Sequence, residues 1–128
     1  MGERNIMVCD DNTLNRKLVN AVLKDTCYSV IESHCGHDCL DYIFNQRGSV
    51  DLLLLDISMH DICGFEICKR LRQSDDKRCR DLPIIAYTAH AMEEERQSYF
   101  SAGFDDVLLK PVDTLSLVET INRHLVAL

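Results

Sequence analysis

The sequence predicts one α/β domain built on a doubly wound, five-stranded parallel sheet. Three observations point there. Five short apolar runs alternate with five longer, more polar stretches, the third run is apolar throughout, and the 128 residues suit one core but not two.

The runs cover residues 5–9, 28–33, 51–55, 83–87 and 106–109. Leu52, Leu53, Leu54 and Leu55 in succession suit a central parallel strand covered on both faces. Periodicity alone also allows a helix there, and the shortness of the run favours the strand. Between the runs, Leu14, Leu18, Ala21 and Val22 recur at helical spacing, as do Leu40, Ile43 and Phe44, then Gly64, Ile67, Cys68 and Leu71. The last stretch places Leu117, Ile121 and Leu125 four residues apart behind Asp113, a suitable N-cap. The fourth stretch, residues 90–101, differs: its acidic and polar run leaves Ala91, Met92, Tyr99 and Phe100 for packing, so it reads equally well as a lightly held, mobile helix and as an ordinary exposed one. There is no internal repeat or linker, the sequence ends directly after the last helix, and a single domain over residues 1–128 with no output domain is expected.

Composition narrows the function. With 46% apolar and 27% charged residues the chain is neither disordered nor fibrous. A formal charge of −7 disfavours nucleic acid and anionic membranes as partners, since both attract clustered Lys and Arg. The short basic run at residues 77–80 reads as a solvated loop. No apolar stretch approaches a bilayer span and the start lacks a signal peptide's apolar region, which indicates a cytoplasmic protein. Seven cysteines, an odd number, are expected as free thiols. The spacing of His34, Cys35, His37 and Cys39 fits no zinc pattern.

The chemistry gathers where strands end. Asp10 and Asp11 follow the first run, Asp56 the third, Thr88 the fourth, and Lys110 with Pro111 the fifth. In a parallel sheet these ends share one edge, and ligands bind there beside the switch point, which in a 2-1-3-4-5 order lies between strands one and three. Three crowded carboxylates require either protonation or a cation among them. An all-oxygen donor set suits Mg²⁺, or Mn²⁺. Lys110 and Thr88 complement the oxygens of a transferring phosphoryl group, and Asp56 is then the nucleophile. Singly, each residue is explained as well by capping or solvation; the set is not.

Asp10 with Asp11, LLLLD ending at Asp56, residues 59–64, AYTAHAM around Thr88, and Lys110 with Pro111 together resemble the receiver domain of two-component response regulators, over nearly the whole chain. The resemblance implies a flavodoxin-like fold of five strands and five helices. It implies phosphorylation of Asp56 by a histidine kinase or histidine phosphotransfer protein, and Mg²⁺ held by Asp11, Asp56 and the Ser58 carbonyl, with Asp10 acting through water. Thr88 and Lys110 would hold the phosphoryl oxygens, and the Lys110–Pro111 peptide would be cis. The face of the fourth long helix, fifth strand and last helix would change for a partner, while Ser58 and His90 would govern access of water to the acyl phosphate. Such a domain promotes its own phosphorylation and dephosphorylation, and AYTAHAM resembles receivers at the C-terminus of hybrid histidine kinases.

Two departures stand out. Val107 occupies a position where many members carry an aromatic residue, which argues against a rotating aromatic switch. His60 replaces a usual proline and implies a less rigid loop after Asp56. Two other functions compete. A hydrolase or phosphotransferase of the haloacid dehalogenase type uses Asp-x-Asp after its first strand and a substrate cap, whereas Asp10 and Asp11 are adjacent and little chain remains for a cap. A non-phosphorylated interaction module is disfavoured by the intact set of family positions.

Overall fold

Five strands, β1 (Arg4–Cys9), β2 (Tyr28–Ser33), β3 (Leu52–Asp56), β4 (Ile84–Thr88) and β5 (Asp106–Leu109), lie parallel in the order β2-β1-β3-β4-β5. The computed structural model describes residues 4–90 and 92–125. Helices α1 (Thr13–Leu23), α2 (Gly36–Phe44), α3 (Gly64–Arg72), α4 (Lys77–Arg80), α5 (Glu93–Ala102) and α6 (Thr114–Leu125) connect and follow the strands. This is the doubly wound sheet the sequence predicts.

Strand alternation divides the core in two. Ile6, Val8, Leu52, Leu54, Ile85 and Tyr87 pack with Val19 and Leu23 of α1 and with Leu117, Ile121 and Leu125 of α6. Met7, Leu53, Leu55, Ile84 and Ala86 face the other way, toward α2, α3 and Tyr99 of α5. Because the leucines of β3 alternate between these clusters, all four are fully buried.

The structure corrects several boundaries and faces. Among the described residues there are six helices, not five: the basic run predicted as a loop is the short α4, nucleated by Asp76, whose carboxylate accepts from the Arg78 amide at 2.9 Å. Asp56 and Thr88, placed after their strands by sequence, are the last residues of β3 and β4. The fourth long helix begins at Glu93 rather than at residue 90, and Ala91 lies outside the described residues. On α1 the predicted stripe holds only at Val22, which packs against the core. Leu14 and Leu18 are exposed, while Val19 and Leu23 carry the packing, because the first turn directs Asn15 and Arg16 toward the end of β1. Phe44 likewise remains exposed.

The last helix matches expectation. Asp113 accepts from the Ser116 amide at 3.1 Å, and Leu117, Ile121 and Leu125 are buried. All seven cysteines are free thiols, four of them buried. Among the described residues no helix is long and apolar enough to cross a membrane.

Arg72 braces the far side of the molecule. Its guanidinium donates to the carbonyls of Leu82 (2.7 Å), Arg80 (2.9 Å) and Gly103 (3.0 Å) and to Asp105 (2.8 Å), joining α3 to the entries of β4 and β5. Gly103 ends α5 with a φ of 109°, a conformation that a side chain disfavours and that would also press on Arg72.

The two leucines of α1 give a direct test of its phase. Leu23→Ala is expected to cost about 2–5 kcal/mol in urea unfolding, whereas Leu14→Ala shifts stability by less than about 0.5 kcal/mol. Equal losses would contradict the observed packing.

Candidate functional site

Register brings the acids together. Cys9 pairs with Leu55, so β1 and β3 end side by side, and the residues that follow or close them are Asp10 and Asp56. The backbone of Asp10 is fixed from both sides: its amide donates to the Ser33 carbonyl at 3.1 Å, and its own carbonyl accepts from Arg16 at 2.6 Å. Asp10, Asp11 and Asp56 can each place one carboxylate oxygen so that all three lie within 4.8 Å of one another. Asp10 and Asp56 are buried, and Asp11 is partly exposed at the rim.

Lys110 reaches this cluster from the end of β5. Its Nζ lies 2.9 Å from Asp56 Oδ1 and 3.0 Å from Asp10 Oδ2. The contact with Asp56 is an aligned hydrogen bond, whereas the contact with Asp10 is an ion pair whose geometry leaves that buried oxygen without a hydrogen-bond donor. Beneath the ammonium, the Tyr87 ring centroid is 5.1 Å away, close enough for a cation–π contribution. The Lys110–Pro111 peptide is cis.

The charges perturb each other. Burial raises the Asp56 carboxyl above the usual carboxylate range and the nearby Asp10 adds to this, while the hydrogen bonds from Lys110 and the Ser58 amide pull the other way. Burial alone would lower the Lys110 ammonium, but its hydrogen bond to Asp56 and its ion pair with Asp10 outweigh that and raise it. The lysine therefore stays charged, and Asp56 is harder to ionise than an exposed aspartate.

Thr88, Ser58 and His90 line the same cleft of about 230 Å³, while His60 lies outside its lining. Thr88 closes β4, with its Oγ1 accepting from the His90 amide at 3.1 Å. Ser58 donates its amide to Asp56 Oδ1 at 3.3 Å, the start of a turn out of β3. His60 is exposed, with Nδ1 2.8 Å from Asp11 Oδ2. The loop that carries His60 lacks proline but is anchored: Asp61 accepts from the Gly36 and His37 amides at 3.0 and 2.9 Å. Burial works against the Asp61 anion, and these amide bonds outweigh it, holding its carboxyl well below the usual range. Gly64 sets the same loop close to the strand, since a Cβ there would lie 2.7 Å from the Asp56 carbonyl oxygen.

Three participants were not foreseen from sequence. Arg16 clamps the Asp10 carbonyl, Tyr87 lies under Lys110, and Tyr99 of α5 directs its hydroxyl toward Thr88 at 3.3 Å. Tyr99 is legible in the sequence as a packing residue, but nothing local shows where its hydroxyl goes.

The cluster suits a hard divalent ion. The donors are carboxylate oxygens, one of them buried without a hydrogen-bond donor, and no thiolate joins them among the described residues. A larger hollow of about 390 Å³ lies at the opposite, amino edge of the sheet. Its acids are already engaged: Asp51 by the Asn5 amide, Asp76 as the cap of α4, and Asp81 by Lys77. The buried carboxylate oxygen without a hydrogen-bond donor, Asp10 Oδ2, lies in the smaller cleft.

Comparison with known proteins agrees with this fold. Residues 6–122 match the family model described as the response regulator receiver domain. Over 122 residues the chain is 31% identical to the polar-differentiation response regulator DivK of Brucella ovis, covering 95% of this chain and 96% of that protein. Over 123 residues it is 30% identical to hybrid signal transduction histidine kinase I of Dictyostelium discoideum, covering 94% of this chain but only 7% of that much longer protein. The crystal structure of the chemotaxis protein CheY4 of Vibrio cholerae matches with a TM-score of 0.85 at 26% identity, over 97% of this chain and 100% of that one.

The raised Asp56 carboxyl sets a pH dependence. For an acid whose pKa is raised on folding, the associated stability is complete below its unfolded value, about 3.9, and is lost as pH rises through the folded value. Without divalent ions, the Tm of the natural protein is therefore expected to fall relative to Asp56→Asn as pH is raised from about 4 to 7. Mg²⁺ should narrow that gap by binding the folded state. Thermal melts that stay parallel across this range would contradict the electrostatic reading.

Proposed function

This chain belongs to the response regulator receiver domain family, and from that premise we propose that it relays signals by accepting a phosphoryl group on Asp56 from a phosphohistidine donor. The observation that carries the reading is the placement of Lys110 between Asp56 and Asp10, inside a cleft that Thr88 also lines.

In the proposed reaction an oxygen of Asp56 forms a bond to phosphorus as the phosphorus–nitrogen bond of the donor breaks. The imidazole leaves with that electron pair. No general base is needed when the carboxylate, paired with Lys110, reacts as its anion. Lys110 keeps its contact with the reacting carboxylate and offers its charge to the phosphoryl oxygens, as the Thr88 hydroxyl does from the end of β4. Asp10, Asp11, Asp56 and the Ser58 carbonyl would hold Mg²⁺ or Mn²⁺, which supplies positive charge to the phosphoryl oxygens when bound. Ser58 and His90 would influence how readily water reaches the acyl phosphate, and His60, through Asp11, the rim of the ion site.

The donor would be a histidine kinase or histidine phosphotransfer protein of the cytoplasm. The face of α5, β5 and α6 would present the result to a downstream partner. That face carries exposed apolar side chains, Phe100, Leu109 and Leu115, which suits contact with protein. Whether the domain acts alone, as the DivK likeness favours, or within a larger kinase, its chemistry is the same.

Incubation with a small acyl phosphate donor and Mg²⁺, followed by intact mass measurement, tests the proposal. One phosphoryl group per chain is expected, absent in Asp56→Asn and formed about tenfold more slowly or worse in Lys110→Ala. Continuous turnover of the donor without a protein adduct would favour the hydrolase, and no reaction at all the interaction module.

A further inference from the structure

Helix α5 touches the cleft through one hydroxyl. Tyr99 is the buried residue of that helix, at 5% exposure, whereas Met92 and Phe100 are 75% and 44% exposed. Its ring stacks on Phe65, with centroids 5.4 Å apart, and meets Phe104 edge-on at 5.9 Å, so its direction is set. The hydroxyl lies 3.1 Å from the His90 carbonyl oxygen and 3.3 Å from Thr88 Oγ1.

Proton counting assigns these contacts. A carbonyl oxygen only accepts, and a phenol has one proton to give. Both contacts are hydrogen bonds at once only if Tyr99 donates to the His90 carbonyl, the shorter of the two, and accepts from the Thr88 hydroxyl. Thr88 Oγ1 already accepts from the His90 amide at 3.1 Å. In that arrangement the single proton of Thr88 is directed toward Tyr99 and is not offered to Asp56.

We propose that Tyr99 is a positioning residue that competes with a phosphoryl oxygen on Asp56 for the one hydroxyl proton of Thr88, so that loading Asp56 releases the buried tie between α5 and the end of β4. The inference rests on the phosphoacceptor reading of Asp56. When Thr88 turns its proton into the cleft, the Tyr99 oxygen loses its donor in a setting that excludes water, and the former packing of α5 loses part of its advantage. Val107, in the same apolar cluster, has no polar side-chain atom to take over. Little else buries α5, so the change is passed to the helix.

Tyr99→Phe removes the hydroxyl and keeps the ring. The probe is beryllofluoride with Mg²⁺, an unreactive analogue of the acyl phosphate. Tyr99→Phe is expected to bind it about three- to tenfold more tightly than the natural protein, the value of one ordinary hydrogen bond. The gain should vanish when Thr88→Ala is present in both proteins, a coupling that general loosening of the helix would not produce. In the natural protein, backbone amides of α5 should exchange faster once the analogue binds. Equal affinities, a gain that persists without Thr88, or unchanged α5 exchange in the natural protein would each overturn the proposal. Failure of the natural protein to bind the analogue would instead refute the phosphoacceptor reading, and this inference with it.

Discussion

One ammonium group allows the acids of this molecule to coexist. Lys110 Nζ, 2.9 Å from Asp56 and 3.0 Å from Asp10, offsets charge that would otherwise be confined in a buried space. It does not balance the cluster. Asp10, Asp11 and Asp56, when all are ionised, exceed the single lysine by two negative charges, a deficit that one divalent cation would fill. The rest of the fold holds this imbalance in place. Parallel pairing aligns the ends of β1 and β3, the Arg16 clamp fixes the Asp10 backbone, and Gly64 lets the loop after Asp56 turn back against the strand.

Much of this was legible in the sequence, for a physical reason. A strand buried on both faces must be apolar along its length, so the leucines of β3 announce both the strand and its central position. Parallel strands must also end on a common edge, so the polar groups after separate apolar runs can be gathered without coordinates. Finer features depend on packing that periodicity does not encode. Helix α1 offers two overlapping apolar stripes, and the demand for Asn15 and Arg16 near β1 selects the one through Val19 and Leu23, leaving Leu14 outside. The α4 turn depends on an N-cap, Asp76, that also reads as loop chemistry.

The loop after Asp56 shows a substitution offset elsewhere. His60 removes the stiffness a proline would give, but Asp61 ties the loop to the first amides of α2, where the helix dipole favours an anion. Helix α5 shows the reverse arrangement. Its surface is acidic and exposed, and its link to the cleft runs through the rings around Tyr99 and the hydroxyl at their end. A rigid edge with a lightly held helix beside it is the construction a charge-driven switch requires.

The charge imbalance at the strand ends is tested most directly by calorimetric titration of Mg²⁺ into the natural protein and into Asp10→Asn, Asp11→Asn and Asp56→Asn. The account predicts one ion per chain and affinity weakened about tenfold or more by each substitution. Binding of equal strength in all four proteins would contradict it.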